Sequence, residues 1–334
     1  MSKGKTERET NPFEFSDSNK RYHTVDYYMK RKYGGKCAKI PLAAGFSCPN
    51  IDGSKGVGGC IYCSGGSADR HIITDSIENQ YANMREIMAK KWSVERTIPY
   101  LQAYTNTYGK SLADLRDIYE KAARLPDAAA LYIGTRADCV TAEIADLIAD
   151  VSELCNIPIT VELGLQTVHD STAEIINRCH TFADFLRGYD IIKSVKKGNV
   201  TVCVHIINGL PGESVEMMLE TARTIAEIDP DQVKIHLLHV LKNTKMADLF
   251  ASGQYEPMGQ KYYVATVCNQ LELLPPSVVI GRLTGDGAKD ELIAPEWSLR
   301  KTAVLNEIDK ELKKRGSYQG KLSLRWDSAT MRRR

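Results

Sequence analysis

The sequence predicts an α/β fold in which six parallel strands, each followed by a helix, curl into a partial (β/α)6 barrel of the TIM type. Three observations lead there. From residue 40 onward, short apolar runs rich in β-branched residues alternate with segments of helical period, the signature of repeated βα units. Three successive strand candidates put polar side chains on one face and apolar ones on the other, whereas an ordinary closed eight-stranded barrel fills its lumen with branched apolar residues. The chain, 334 residues and 43% hydrophobic, is about twice a typical domain, enough for one large barrel.

In chain order the strand candidates are 40–45, 98–104, 129–134, 159–165, 200–207 and 232–240, and the helix candidates lie near 76–91, 111–124, 141–155, 181–197 and 214–228. The helix after Thr141 is the clearest: Ile144, Leu147, Ile148, Val151 and Leu154 fall on one face, and Thr141 suits the N-cap. In the fourth strand Glu162, Gly164 and Gln166 oppose Val161, Leu163 and Leu165. In the fifth, Cys203 and His205 oppose Val204 and Ile206. In the sixth, Lys234 and His236 oppose Val233, Ile235 and Leu237. A partly open barrel with a polar, ligand-holding lumen explains these faces; a buried hydrogen-bond network without a ligand is the alternative. Beyond them, 258–274 reads as a helix, 277–282 as a further short strand, 282–286 as a loop closing one end, and 303–312 as a lysine-flanked helix. The expected organisation is a polar, basic extension over 1–37, the barrel over 38–242, and a partly helical C-terminal extension over 243–334.

Composition excludes several classes. Nine cysteines are too few for a disulfide scaffold. No apolar run approaches the ~18–20 residues of a membrane span, and residues 1–12 lack the apolar segment of a signal peptide. A reduced, cytoplasmic protein without a membrane partner is expected. Charge is uneven: residues 1–40 hold ten basic and five acidic residues (+5), residues 300–334 hold eleven and four (+7), and a total of +2 leaves −10 for the middle. Basic ends suit a phosphate backbone, and Tyr27, Tyr28 and Tyr33 beside Lys30, Arg31 and Lys32 offer stacking faces. The bland alternative is solvated helix faces and tails such as 331–334.

Cys48, Cys60 and Cys63 form C-x11-C-x2-C directly after the first strand, at the edge where βα-barrel active sites lie. The glycine-rich 52–59 stretch lets the backbone wrap a compact object. Three thiolates suit a 4Fe–4S cluster with one iron left open; completed by His71 they suit a zinc site instead. Cys37, Cys139, Cys155, Cys179, Cys203 and Cys268 show no second ligand spacing and read as ordinary thiols, with Cys203 on the lumen side of its strand. His23, His169 and His180 read as turn or surface residues, and Glu213 as either a pocket carboxylate or the charge before the helix that Ser214 opens.

On these residues the sequence resembles radical S-adenosylmethionine (radical SAM) enzymes, specifically a bacterial family related to the catalytic subunit of Elongator. The resemblance runs from about residue 22 to 325 and is densest over 39–63 (KIPLAAGFSCPNIDGSKGVGGCIYC). The eleven residues between Cys48 and Cys60 depart from the three common in such enzymes, and also from Elongator's gap. The resemblance implies one 4Fe–4S cluster on Cys48, Cys60 and Cys63, with SAM as cofactor and Tyr62 near its adenine. It implies that QAYTNT (Gln102, Tyr104, Thr105, Asn106) meets the methionine amino group and that GTRAD supplies Arg136 and Asp138. VELGLQT (Glu162, Gln166) would meet ribose and carboxylate. HIINGLPGE (His205, Gly209) would lie beside the adenine, and KIHLLHV would add Lys234 and His236. Arg136 suits a bidentate carboxylate contact.

Elongator-type relatives modify the C5 side chain of wobble uridine in tRNA, so the resemblance implies a tRNA partner and an unidentified low-potential electron donor. No acetyltransferase segment follows residue 300, so acetyl transfer is not carried over, and remodelling of an existing substituent is as compatible as adding one. Two alternatives remain at the level of sequence: radical SAM chemistry on a small metabolite or peptide, and a zinc-stabilised RNA-binding protein.

Overall fold

The computed structural model describes residues 11–64, 75–90, 94–285 and 289–323. Its order is α1 (Val25–Tyr33), β1 (Cys37–Leu42), α2 (Ile77–Ala89), β2 (Arg96–Leu101), α3 (Leu112–Ala123), β3 (Leu131–Thr135), α4 (Ala142–Leu154) and β4 (Ile159–Gln166). Then come α5 (Asp170–Ile175), α6 (Phe182–Ser194), β5 (Val200–Asn208), α7 (Val215–Ile228), β6 (Gln232–Leu237), β7 (Val240–Leu241), α8 (Lys245–Ala251), α9 (Gln260–Leu273), β8 (Val279–Arg282), β9 (Leu292–Ala294) and α10 (Lys301–Lys314). No helix among the described residues is long and apolar enough to cross a membrane.

The six predicted strands form a parallel sheet in sequence order, and β8 adds a seventh beside β6. No pairing joins β8 back to β1 among the described residues, so the sheet is an open partial barrel. The sheet therefore has one strand more than the six βα units expected. The predicted strand 232–240 also divides: β6 ends at Leu237, and Val240–Leu241 pairs antiparallel with β9 as a separate ribbon.

Local chemistry explains the helices. Ser76, Ser111, Thr141, Thr181, Ser214 and Thr244 each cap a helix by accepting from a backbone N–H of its first turn. Ser111 with Asp114, and Thr181 with Asp184, complete reciprocal capping boxes. The apolar strand faces, Val161, Leu163 and Leu165 or Val233, Ile235 and Leu237, join Ile144, Leu147, Ile148 and Phe185 in the main core. That leaves Glu162, His205, Lys234 and their neighbours on the concave face.

Both sheet edges meet α1, which packs on β1 and on β8 and seats Met29 among Ile98, Tyr100, Ala130 and Tyr132. The chain segments flanking the barrel lock together at the same edge. Gln319, fully buried, donates to Pro275 O (2.7 Å) and Val278 O (2.8 Å), while its Oε1 accepts from His23 N (2.8 Å). Lys20 pairs with Asp309 beside it.

Candidate active site

After β1 the cysteine loop winds back on itself. Cys48 O accepts from Ile51 N (2.8 Å) and Asp52 N (3.2 Å), Asn50 O accepts from Gly59 N (2.8 Å), and Cys60 O accepts from Cys63 N (2.8 Å). These bonds bring Cys48, Cys60 and Cys63 to the wall of one cavity of about 330 Å³, within the range of cofactor clefts. The ligand atoms that fall within 4.8 Å of one another among the described residues belong to Glu162, Cys203 and His205, not to these thiols. His71, the fourth ligand of the zinc alternative, lies outside the described residues, as does the 325–326 end of the basic tail.

Thirteen of the sixteen residues singled out from sequence line this cavity: the three cysteines, Tyr62, Gln102, Tyr104, Thr105, Arg136, Glu162, Gln166, His205, Lys234 and His236. Three do not. Asn106 is fully buried and donates through Nδ2 to Leu101 O (3.1 Å) and Gly134 O (2.7 Å), which ties the ends of β2 and β3 together. Asp138 turns to Arg136, accepting from its Nε and Nη2 at 3.0 Å each, and to Lys55 Nζ at 2.6 Å. Burial opposes the charge on Asp138, but the bonds from Arg136 and Lys55 prevail and hold the carboxyl at about 2. Arg136 thus already has its bidentate carboxylate, within the chain. Gly209 belongs to a separate cleft of about 650 Å³, where Tyr255 donates to its carbonyl at 2.7 Å. Glu213 lines that second cleft and accepts from Thr167 Oγ1.

The polar faces predicted on β4, β5 and β6 converge on one carboxylate. Glu162 accepts from Lys234 Nζ (2.5 Å), Lys39 Nζ (3.2 Å) and Tyr100 Oη (2.5 Å), and His205 Nε2 lies 2.9 Å away. Burial favours a neutral Glu162, yet Lys234, Lys39 and His205 hold it well below the usual carboxylate range. Burial, and then the charge of Lys234, lower Lys39 to about 8 and His205 to about 4. His236 stacks obliquely on His205 at 5.2 Å and is also pushed down by burial. With two ammonium groups on the carboxylate, the Glu162–Cys203–His205 grouping is an ion-pair network rather than a cation site.

Two residues of this network escaped the sequence reading. Lys39 precedes the predicted first strand, although its alternation with Ile40 is the available signal. Tyr100 sits within the second strand, where an aromatic reads as core. Arg178 and Arg282 also line the cavity; Arg178 lies in a loop without periodicity. His23 and His180 are buried, not superficial. On α1, Lys30 pairs with Asp26 (2.6 Å), Arg31 lies 5.8 Å from the Tyr27 ring centre, and Lys32 donates to Tyr28 Oη (2.7 Å), so the proposed stacking faces have partners within the helix.

The histidines predict a pH dependence. Burial lowers His23, His180, His205 and His236 from the usual 6.5, with His180 and His205 at about 4. Between these values the unfolded chain binds protons that the folded one refuses, so stability rises with pH across the window. The urea midpoint of the metal-free protein is expected to fall as pH drops from about 6.5 to about 4. A midpoint constant over that interval would contradict the burial argument.

Residues 54–225 match the Radical SAM superfamily, and residues 230–314 match the Radical_SAM C-terminal domain. The chain is 43% identical over 315 residues to protein YtqA of Bacillus subtilis, covering 94% of this chain and 96% of that one. It is 25% identical over 206 residues to the tRNA uridine(34) acetyltransferase of Methanocaldococcus infernus, 60% of this chain but 36% of that protein. The solved structure of M. infernus Elp3 superposes with a TM-score of 0.58 over 85% of this chain and 64% of that one, at 17% identity, a likeness of fold.

Proposed function

The chain belongs to the radical SAM superfamily, and from that premise we propose that it modifies the C5 side chain of the wobble uridine of tRNA. It is an enzyme of a family that uses a 4Fe–4S cluster and SAM. The donor set fits such a cluster: three thiols line one cavity and leave one iron of a 4Fe–4S cluster open. In this reading Cys48, Cys60 and Cys63 hold the cluster, and Tyr62, Gln102, Thr105 and Gln166 orient SAM. When bound, cluster and SAM supply reductive cleavage of the sulfonium and a hydrogen-abstracting 5′-deoxyadenosyl radical, fed by a low-potential electron donor.

The chain's own residues supply position and dryness. Glu162, fixed by four donors, gives the lumen a rigid polar floor that needs no rearrangement when a substrate enters. His236 Nε2 is buried without a partner among the described residues, so it offers a hydrogen bond to a substrate group that reaches this depth. Met29 of α1 packs among Ile98, Tyr100, Ala130 and Tyr132, which keeps that part of the sheet apolar and dry.

The observation that carries the tRNA reading is the relation to tRNA uridine(34) acetyltransferases over 60% of this chain and only 36% of theirs. It supports a shared nucleoside target, and a cytoplasmic setting follows from such a substrate. The test is mass spectrometry of tRNA nucleosides from a strain deleted for the gene. Loss or replacement of one C5-substituted uridine is expected, restored by the gene on a plasmid. Identical nucleoside profiles while the gene is expressed in the parent would overturn the reading.

A further inference from the structure

The geometry points to Arg178 and Asn50 as a pair of N–H···S donors that stabilise the Cys60 thiolate and raise the reduction potential of the cluster it would hold. The inference rests on the reading of Cys60 as a cluster ligand. Arg178 Nη1 lies 3.8 Å and Asn50 Nδ2 3.6 Å from Cys60 Sγ. Cys60 is the most buried of the three thiols. Arg178 is 6% exposed and Asn50 not at all, so water competes little for these N–H groups.

Both donors are built in. A Cβ at position 164 would lie 2.9 Å from Arg178 Nη2, the same nitrogen that donates to Gly164 O at 2.6 Å. A Cβ at position 56 would lie 2.3 Å from Asn50 Oδ1. Glycine at each position therefore leaves the space that a donor occupies. The loop after α5 is also stitched to the cysteine loop: Asn177 Nδ2 donates to Gly59 O (2.7 Å), Ile61 N donates to Ile176 O (3.1 Å), and Asn50 Nδ2 donates to Asn177 O. Arg178 cannot swing away without breaking that seam. Its Nε has no partner among the described residues, which leaves the guanidinium one N–H in reserve.

The consequence is electrostatic. A reduced cluster carries one more negative charge than an oxidised one, part of it on the thiolates. A cationic N–H donor gains more from the reduced state, and hydrogen bonds to cluster sulfurs are one of the means by which proteins set the potential. Arg178 and Asn50 act through Cys60 and are positioning residues.

The experiment is an EPR-monitored redox titration of reconstituted wild-type protein, Arg178→Met, Arg178→Lys and Asn50→Leu, each with iron counted. Arg178→Met is expected to lower the reduced-to-oxidised ratio about tenfold at fixed solution potential, equal to 59 mV for a one-electron couple. Asn50→Leu should move it the same way by less, and Arg178→Lys should recover part of the loss. An unchanged ratio at wild-type iron content would overturn the inference. Should the variants not fold, resonance Raman of the wild-type holoprotein in H2O and in fully exchanged D2O decides: a shift of the Fe–S(Cys) bands supports the donors, and no shift overturns them. Iron retained at wild-type level by Cys60→Ala would instead sink the ligand reading beneath it.

Discussion

Cys60→Ala is expected to abolish iron binding and to reduce dithionite-dependent release of 5′-deoxyadenosine from SAM to background. Cys60 is the buried member of the trio, lies on the cavity wall, and is held from one side by Asn50 and Arg178. A thiolate is the only strong anionic ligand that position offers, and alanine leaves two sulfur ligands where a 4Fe–4S cluster with one open iron needs three. The fold should survive, because Cys60 belongs to none of the apolar clusters that hold the sheet and helices together. Iron analysis and visible absorbance of anaerobically reconstituted protein give the first readout, and product chromatography the second. A variant that folds like wild type, keeps full iron and still cleaves SAM would show that the three cysteines are scaffolding.

Glu162→Gln is expected to destabilise the protein by about 3 kcal/mol or more, the scale on which breaking a buried ion pair by removing one partner acts. Glutamine fills the same space, so the effect isolates charge. It would leave the ammonium groups of Lys39 and Lys234 in one buried site with no carboxylate between them, beside a neutral His205. Lys39 already loses its proton near pH 8 in the wild-type fold, and without Glu162 it should lose it lower still. Replacing both charges, Glu162→Gln with Lys234→Met, should recover most of the stability, since removing a buried pair together is often close to neutral. Urea unfolding of the two single variants and the double variant measures this coupling. Glu162→Gln unfolding at the wild-type midpoint would show that the lysines find compensation elsewhere.

Alternation is what made most of this site legible. On β4, β5 and β6 the polar residues recur every second position, a pattern that only a half-buried strand maintains, and all of Glu162, Gln166, His205, Lys234 and His236 reach the cavity. The helix caps at Thr141 and Ser214 are local chemistry and read directly. Illegible features depend on contacts between distant segments. Asn106 and Asp138 stand in the right motifs, but whether such side chains face a ligand or the neighbouring backbone is decided by strand ends that meet only in the fold. Arg178 acquires its place from Gly164 and from the cysteine loop, more than a hundred residues upstream. The seventh strand was visible as a strand. Its place beside β6 depends on α9 filling the crossover between them, which no short-range pattern encodes.

The buried Gln319 sets an order of events during synthesis. Ribosomes deliver the N-terminal part of a chain first, so the thiols of residues 48–63 emerge while β8, α10 and Gln319 are still untranslated. Until Gln319 exists to bridge His23 with Pro275 and Val278, the segment leading into the first helix lacks this anchor at the β8 edge. The nascent chain is therefore an unfinished cup that displays its cysteines before its far edge is tied down. The bond network around residue 319 thus acts as a late clasp, tying the leading segment to the far edge of the sheet only after every strand has been made.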